Sequence, residues 1–498
     1  RKPGVCFATS GPGATNILTG LATAQADSAP MIAVTGQVPV AMIGKDAFQE
    51  SDIIGMANPV VKYSFQPRLP GEVPEAVRKG FYIAETGRPG PVLLDIPKDV
   101  QQNEAPMDFP DEFTIRGYHP WNDPDVASVQ KAVDMLVNSE RPIILAGGGT
   151  IISSAFAELQ SIAETLMIPV VTTFKGKGAF PENHPLSLGP IGMHGHAEAN
   201  KMMAEADCVL AIGTRFSDRS VGTFEAFEKR LKIIHMDVDP AEIGKNQTTS
   251  IAVVGDVRAS LRIMVKILLQ RSLKKSEDSV WIKHVRETKA YWKENLKIHP
   301  GEMGAAKILR KLRELLPKES VVTTEVGQHQ MWASLFYDVI QPGTFFSSTG
   351  LGTMGWGFPA SIGAKVARPD VPVVDIAGDG SFSMTENSLA TAVLEDIPVI
   401  VFVLNNSTLG MVAQWQRTFY DRRMIGVDQG GCPDYVKLAE SYGAQGIRAQ
   451  SMDELDKAIK SALSSDVATV IDIPIDPEED VLPFVAPGTS LSDMILPS

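Results

Sequence analysis

Short apolar runs recur along the chain, and each is followed by a glycine-containing turn and a stretch with helical spacing. Strands that are buried on both faces read as continuous apolar runs, and strands that alternate with helices pair in parallel. The pattern therefore predicts an α/β protein built from doubly wound parallel sheets. The predicted strands are Gly4–Ala8, Met31–Thr35, Val92–Ile96, Ile143–Ala146, Ile168–Thr172, Val209–Ile212, Lys232–Met236, Val321–Thr324, Val371–Ile376, Pro398–Leu404 and Thr469–Ile473.

Two stretches interrupt this alternation and divide the chain into three domains. Residues 106–125 carry four prolines among acidic and aromatic residues, which is typical of a stiff linker. Residues 271–304 are highly charged with helical spacing. These breaks predict domains over residues 1–105, 126–270 and 305–498. The first is short for a doubly wound domain, so we expect it to be incomplete, with its N-terminal part missing from this sequence.

Composition and charge exclude several classes of protein. The 498 residues include 46 Lys and Arg against 59 Asp and Glu, a net charge of −13 that argues against nucleic acid as a partner. The longest apolar run, near Ile397 to Leu404, is too short to cross a membrane. Three widely spaced cysteines, Cys6, Cys208 and Cys432, favour neither a disulfide framework nor a zinc ribbon. We expect a reducing compartment, either the cytoplasm or the stroma or matrix of an organelle.

The most informative motif is Gly378-Asp379-Gly380, followed by Asn406 after the next predicted strand. A Gly-Asp-Gly triplet alone is most often a turn, but here both polar residues follow strands that one crossover helix would place side by side. That helix is expected to begin with a capping box formed by Ser383 and Glu386. Carboxylate and amide oxygens suit Mg²⁺ that shares its other positions with phosphate oxygens, and the glycines let backbone amides approach those phosphates. The carboxyl ends of the two strands therefore form the predicted metal and diphosphate site.

These residues resemble the cofactor motif of thiamine diphosphate enzymes. The resemblance implies Asp379, the Asn406 side chain and the Thr408 carbonyl as Mg²⁺ ligands. Further blocks narrow it to the acetohydroxyacid synthase (acetolactate synthase) large catalytic subunit family, almost from end to end. The blocks are residues 9–16, 35–39, 46–50, 87–91, 97–99, 326–332, 350–355 and 410–416.

The family resemblance implies a fold, a reaction and partners. The three domains would bind the coenzyme's pyrimidine, FAD or another nucleotide, and the Mg²⁺–diphosphate group, in that order. The enzyme would decarboxylate pyruvate and ligate the two-carbon unit to pyruvate or 2-ketobutyrate, the first common step towards valine, leucine and isoleucine. FAD would be structural. We expect a homodimer or tetramer with a small regulatory subunit, and neither nucleic acid nor membrane as a partner.

The resemblance also assigns roles to individual residues. Met354 would hold the coenzyme bent, Phe48, Gln49 and Lys98 would line the substrate channel, and Trp415 would narrow the acceptor site. The thiamine diphosphate contacts would be Val326, Gly327, Gln328, His329, Gly352, Met354, Gly378, Asp379, Gly380, Ser381, Asn406, Leu409, Gly410 and Met411.

FAD is assigned partly from the central strands. Three of them end in Gly147-Gly148-Gly149, Gly213 and Asp237, and glycine-terminated strands form a crevice that admits phosphate while an acidic strand end accepts ribose hydroxyls. The dinucleotide pattern Gly-x-Gly-x-x-Gly is absent, so these residues alone also fit a plain loop. The resemblance completes the set with Arg88, Thr173, Phe174, Gly192, Met193, His194, Arg215, Asp218, Arg219 and Asp256.

One catalytic group of the family has no counterpart in this sequence. The family places a Glu beside the coenzyme's aminopyrimidine, in a His-Glu segment upstream of the first strand, and no acidic residue precedes Asp27. Asp27 and Glu50 are expected to be surface residues or to make local hydrogen bonds. Alternatives therefore remain: an FAD-dependent pyruvate oxidase or other carboligase of the same superfamily, or an inactive paralogue.

Overall fold

The computed structural model describes residues 2–106, 108–109, 112–120, 123–222, 231–296, 301, 303–431 and 433–497. Parts of the two predicted linkers and Cys432 therefore lie outside the described residues. The chain forms two compact units. Unit 1 comprises Arg1–Asn122 and Thr349–Thr353, and unit 2 comprises Asp123–Ser348 and Met354–Ser498.

Unit 1 contains a four-stranded parallel sheet in the order β1-β2-β4-β3. Its central strands β2 and β4 are apolar and almost wholly buried, which explains why they read as continuous apolar runs. The strands are β1 (Gly4–Ala8), β2 (Met31–Gln37), β3 (Tyr63–Phe65) and β4 (Pro91–Pro97). The helices are α1 (Pro12–Asn16), α2 (Leu18–Asp27), α3 (Ile53–Ala57), α4 (Val73–Glu85) and α5 (Lys98–Gln102).

Two acidic residues of unit 1, Asp27 and Glu50, differ in how far along the chain their hydrogen-bond partners lie. Asp27, at the end of α2, is buried, and its Oδ1 accepts hydrogen bonds from the backbone of Thr349 and Gly350, 322 and 323 residues away. The expectation that Asp27 is a surface or locally bonded residue is therefore wrong, because its partners come from a distant segment that packs on α2. Glu50 does bond locally, to the backbone amides of Gly44 and Ala47.

Unit 2 contains two six-stranded parallel sheets. The first has the order β10-β9-β8-β5-β6-β7, and its strands are β5 (Pro142–Ala146), β6 (Val170–Thr172), β7 (Ser187–Pro190), β8 (Cys208–Ile212), β9 (Lys232–Asp237) and β10 (Ile251–Val254). Its helices are α6 (Val126–Val137), α7 (Gly148–Ile152), α8 (Phe156–Leu166), α9 (Ala197–Glu205), α10 (Asp218–Val221), α11 (Val257–Gln270) and α12 (Val280–Asn295). Helix α12 packs on this sheet's core through Trp281, Ile282 and Val285.

The second sheet of unit 2 has the order β12-β11-β13-β14-β16-β15. Its strands are β11 (Val321–Thr324), β12 (Phe345–Ser347), β13 (Val373–Gly378), β14 (Ile400–Asn405), β15 (Gln445–Arg448) and β16 (Thr469–Pro474), and a separate hairpin joins β17 (Phe484–Val485) to β18 (Met494–Ile495). Its helices are α13 (Ala305–Leu315), α14 (Gln328–Phe336), α15 (Gly357–Ala367), α16 (Asp379–Phe382), α17 (Leu389–Leu394), α18 (Gly410–Phe419), α19 (Tyr435–Tyr442) and α20 (Met452–Leu463).

Helices cover both faces of this second sheet. Apolar residues on either face form separate clusters, one with α13, α14 and α20 and the other with α15, α17 and α19. Three doubly wound parallel sheets are thus present, as the sequence predicts. Among the described residues, no helix is long and apolar enough to span a membrane.

The connection between β13 and β14 differs from its prediction. The expected capping box does not form, because Ser383 follows the short helix α16 and its hydroxyl pairs with Tyr435 Oη at 2.9 Å. A 3₁₀ turn over Glu386–Ser388 then leads into α17. The crossover is present, but its longer helix begins later than Ser383.

Candidate active site

The site begins where two neighbouring strands end. Strands β13 and β14 pair in parallel with Gly378 opposite Leu404. Asp379 therefore follows one strand and Asn406 the next at the same edge of the sheet, as their sequence context predicts. Both are buried, with exposed fractions of 2% and 7%. Ligands of open α/β sheets bind at this edge.

A cleft enclosing about 500 Å³ opens between these strand ends. The structure brings thirteen of the fourteen predicted thiamine diphosphate contacts to its wall, together with the predicted metal ligand Thr408. The lining residues are Val326, Gly327, Gln328, His329, Trp332, Met354, Gly378, Asp379, Gly380, Ser381, Leu404, Asn406, Thr408, Leu409, Gly410, Met411 and Val412. Gly352 is the exception, since it lies in the Thr349–Thr353 segment of unit 1.

Glycines in the wall of this cleft allow neighbouring side chains to pack closely against the strand ends. A Cβ on Gly378 would lie 2.5 Å from His329 Nδ1, and one on Gly380 would lie 2.2 Å from Gln429 Nε2. Real Cβ atoms do not approach so closely, so a side chain at either position would push these neighbours apart. The glycines therefore let the His329 and Gln429 side chains pack directly against the strand ends that line the cleft.

The polar groups of the cleft fit a magnesium ion shared with a diphosphate. The wall offers one carboxylate, from Asp379, and an amide oxygen, from Asn406, both hard ligands. Within the described ranges, no group of three or more His, Cys, Asp and Glu side chains could hold a metal by itself. An anionic ligand that supplies further oxygens would complete the set, and the glycine-lined strand ends leave room for it.

His329, at the start of α14, contributes a neutral imidazole to the cleft. Burial lowers the pKa of His329 to about 3, so the ring is uncharged at physiological pH. Its Nε2 is buried and has no hydrogen-bond partner among the described residues. A ligand with a polar group could satisfy that nitrogen without competing against a charged side chain.

Glu325 holds the loops behind the cleft, a role that the sequence did not indicate. Its carboxylate accepts hydrogen bonds from Gly355 N at 2.6 Å, Phe358 N at 2.8 Å and Ser381 Oγ at 2.8 Å. Gly355 follows Met354, and Ser381 lies in the Gly-Asp-Gly loop. Glu325 therefore ties these two parts of the wall to strand β11, and only its distant partners reveal this.

A second, wider cleft of about 1310 Å³ lies in unit 2 around Trp415. The guanidinium of Arg219 lies 5.9 Å from the centre of the Trp415 ring, and His194 stacks on Phe484 at 5.0 Å. Burial lowers the pKa of His194 to about 3. The wall around Trp415 thus includes three predicted FAD contacts, Met193, His194 and Arg219. Met411 lines both clefts.

The glycine-terminated strands of the central sheet also approach one another closely. A Cβ on Gly149 would lie 2.6 Å from Gly213 Cα, and Gly147 N donates to the carbonyl of Ile212 at 2.8 Å. These strand ends pack closely against one another, and the side chains of Lys175 and Thr214 lie over Gly148 and Gly147.

Other predicted FAD residues have local partners. Asp256 caps α11 by accepting from Ala259 N, and Thr173 accepts from Gly176 N. Asp237 Oδ1 accepts from Asp239 N at 2.9 Å. Phe174 packs on Phe345. Gly192 and Arg215 lie in the loops that follow β7 and β8, and Asp218 is the first residue of α10.

The remaining predicted residues lie in unit 1. Phe48 has an exposed fraction of 89%, and Gln49 and Lys98 are exposed as well. Arg88 donates to Ser28 Oγ at 2.9 Å. Their roles in a substrate channel and in FAD binding stay predictions.

Comparisons with known proteins agree on one family. Three family models match, described as "Thiamine pyrophosphate enzyme, N-terminal TPP binding domain" over residues 1–56, "central domain" over 129–264 and "C-terminal TPP binding domain" over 325–473. The chain is 47% identical to a probable acetolactate synthase large subunit of Methanocaldococcus jannaschii, over 100% of this chain and 85% of that protein. It is 44% identical to an acetolactate synthase large subunit of Parasynechococcus marenigrum, over 100% and 81%. It is also 41% identical to one of Corynebacterium glutamicum, over 99% and 80%.

Proposed function

Because this chain belongs to the acetolactate synthase large-subunit family of thiamine pyrophosphate enzymes, we propose that it decarboxylates pyruvate and joins the two-carbon unit to pyruvate or 2-ketobutyrate. This is the first common step of branched-chain amino acid synthesis. The observation that carries the proposal is the burial of Asp379 and Asn406 together at one sheet edge, in a glycine-lined cleft.

Unit 2 would hold the coenzyme by its diphosphate and a magnesium ion. Asp379, the Asn406 side chain and the Thr408 carbonyl are the proposed Mg²⁺ ligands, and the glycines around them leave space for phosphate oxygens. When bound, thiamine diphosphate supplies the electron sink that lets carbon dioxide leave a 2-ketoacid. The chain's own contribution is to orient the coenzyme, with the apolar Met354 against it and the uncharged His329 ring beside it.

The second cleft is the proposed place for the acceptor substrate. Trp415 narrows it from one side and Arg219 lies over the same ring, so an aromatic wall and a cation meet there. A 2-ketoacid has an apolar tail and a carboxylate, which suits this pairing. Met411 belongs to both clefts and would separate the donor and acceptor positions.

FAD is proposed as a structural cofactor of the central sheet. The glycines that follow β5 and β8 support it, because nucleotide phosphates bind at glycine-rich strand ends of open α/β sheets. Met193, His194 and Arg219 would carry the ring end of the cofactor towards Trp415.

Exposed residues of unit 1 support a proposal about how copies of the chain assemble. The exposed Phe48, Gln49 and Lys98 fit a surface that a second copy of the chain covers, so we propose a homodimer or tetramer. The large-subunit relatives support a small regulatory subunit as a further partner. Cys6 and Cys208 are free thiols, which agrees with a reducing compartment such as the cytoplasm.

The test measures product and coenzyme retention in the full-length product of the gene that carries this sequence. With pyruvate, Mg²⁺ and thiamine diphosphate in the absence of air, we expect acetolactate to form while the flavin band stays unbleached. Flavin bleaching without acetolactate would support an oxidase instead, and no pyruvate consumption would support an inactive paralogue.

A variant links the activity to the cleft. Asp379→Ala should lower Mg²⁺-dependent coenzyme retention in equilibrium dialysis by about tenfold or more, because the site then lacks its carboxylate. Asp370→Asn, which changes an exposed carboxylate paired with Arg368, is the matched control and should retain coenzyme normally. Equal retention by the wild type and Asp379→Ala would refute the metal assignment.

A further inference from the structure

A chain of three buried side-chain amides runs from Asn406 to the backbone of Val481. Asn406 Nδ2 donates to Gln328 Oε1 at 3.1 Å, and Gln328 Nε2 donates to Gln414 Oε1 at 3.0 Å. Gln414 Nε2 donates to the Val481 carbonyl at 3.1 Å, and its Oε1 accepts from Val481 N at 2.9 Å. The exposed fractions of Asn406, Gln328 and Gln414 are 7%, 3% and 2%.

Backbone groups fix the direction of every amide in this chain. Val481 N can only donate and its carbonyl can only accept, so together they decide which end of the Gln414 amide is oxygen. Gln328 Nε2 must then face Gln414 Oε1, and it also donates to the Glu479 carbonyl at 3.1 Å. Gln328 Oε1 is left to face Asn406, which must present its nitrogen there. Asn406 Oδ1 therefore points the other way, where it accepts from Thr408 N at 3.3 Å.

The packing around Gly410 supports the same arrangement. A Cβ at position 410 would lie 1.9 Å from Gln328 Oε1 and 2.6 Å from Asn406 Nδ2. The bond between these two side chains thus passes directly over a residue that has no side chain. Gly410 is the first residue of α18 and Gln414 lies one turn further along, so one helix both makes room for the chain of amides and orients it.

We propose that Gln414 is a positioning residue that fixes, through Gln328, which atom of Asn406 faces the metal ion. The inference rests on the proposed function, since it concerns the cation of that site. An Asn side chain can present either an oxygen or an NH₂ group, and only the oxygen binds a cation. The amide chain removes that ambiguity before any ligand arrives, so no binding free energy is spent on turning Asn406.

The primary test replaces the orienting amide by an apolar group of similar size. Gln414→Leu removes both hydrogen bonds to Val481 and the acceptor for Gln328. The Gln328 amide then keeps only the Glu479 carbonyl to orient it, so it turns more easily and Asn406 with it. We expect the MgCl₂ concentration needed for half-maximal retention of thiamine diphosphate to rise about 10- to 100-fold in equilibrium dialysis of the full-length protein. Thr418→Val is the matched control, because it removes a hydroxyl that bonds the Gln414 carbonyl from the same helix but leaves the amides intact.

A second variant separates orientation from a general loss of structure. Asp at position 406 offers an oxygen on either side, so orientation no longer matters in an Asn406→Asp protein. There, Gln414→Leu should leave the half-maximal MgCl₂ concentration unchanged or lower it, because Gln328 turns its Nε2 more easily towards the new carboxylate, whereas a structural defect would raise that concentration as much as in the Asn406 background.

The outcomes are distinguishable. A wild-type protein that retains no coenzyme at any MgCl₂ concentration would overturn the proposed function and this inference together. Wild-type retention with unchanged retention by Gln414→Leu would overturn the inference alone. An equal loss from Gln414→Leu in both backgrounds would also overturn it, because the amide would then serve only the fold.

Discussion

The buried ion pair of Lys177 and Glu182 allows a prediction whose size follows from its contacts. Lys177 Nζ donates to both carboxylate oxygens of Glu182, at 2.8 and 2.7 Å, and to the Ser334 carbonyl at 3.0 Å. The side chains are only 1% and 6% exposed, so water does not screen the pair. Glu182 also accepts from Val339 N at 2.6 Å. The ion pair thus joins the loop after β6 to Ser334, near the end of α14, and to Val339, just after that helix.

Lys177→Met should therefore be strongly destabilising. Met fills most of the space of the Lys side chain, so the change leaves little cavity, but the Glu182 carboxylate loses its charged partner while it stays buried. Removing one member of a buried pair costs about 3–5 kcal/mol, far more than the roughly 0.3–0.5 kcal/mol of an exposed helix pair. Lys460→Met, which breaks the exposed pair with Asp456 on α20, is the matched control.

Urea unfolding followed by tryptophan fluorescence measures this difference, since Trp332 is buried in α14 itself. The double variant Lys177→Met/Glu182→Gln should recover most of the loss, because Gln is neutral and still accepts from Val339 N. The reasoning is refuted if Lys177→Met costs less than about 1 kcal/mol, or if the double variant is no more stable than the single one.

Two further predictions concern the cleft and the acid pair behind it. Gly410→Ala places a Cβ 1.9 Å from Gln328 Oε1 and should weaken coenzyme retention about tenfold or more in dialysis, whereas Gly363→Ala, in a helix where the added Cβ meets nothing within 4 Å, should retain coenzyme like the wild type. Burial and the nearby Glu325 carboxylate raise the pKa of Asp375 well above its usual value, so the folded chain holds a proton that the unfolded chain releases above that usual value. Wild-type stability should then fall as pH rises through this window, by up to about 1.4 kcal/mol per pH unit, and Asp375→Asn should flatten the fall in Tm; an unchanged pH slope would contradict the pairing.

Ten of the eleven strands that the sequence predicts lie in the interior of their sheets, and β1, an edge strand, is the exception. All eleven are present, because interior strands covered on both faces must be apolar at almost every position and β1 is itself a short apolar run. Five of the unpredicted strands, β3, β7, β10, β12 and β15, form the edges of their sheets. Edge strands have one neighbour, are short and are often half-exposed, as in β15 with Gln445 and Arg448, so they lack a continuous apolar run. Sequence patterning therefore locates the sheet interiors better than their edges.

The same distinction applies to the site. Asp379 and Asn406 could be placed from the sequence because each directly follows a buried strand, and consecutive strands joined by one crossover helix commonly lie side by side, as β13 and β14 do. Glu325 and Gln414 could not, since their partners lie 30 or more residues away for Glu325 and 67 for the Gln414 bond to Val481. Nothing in the local spacing of a polar residue tells which distant backbone group it will meet.

The contacts of Lys177 and Gln414 both reach α14, and we expect their loss to have different effects on stability and on coenzyme affinity. Lys177 holds the helix near its end, through Ser334, while Gln414 holds its first residue, Gln328. A buried charge without a partner penalises the whole folded state, so Lys177→Met should lower stability more than coenzyme affinity. A neutral amide that loses its orientation costs the fold much less but leaves the cation facing the wrong atom. Gln414→Leu leaves the buried N–H and C=O of Val481 unpaired, at a cost of about 1–3 kcal/mol, so it should lower coenzyme affinity proportionately more than urea resistance. If both variants lost stability and affinity in the same proportion, the helix would respond as one rigid body, and the separate roles argued for its two ends would be wrong.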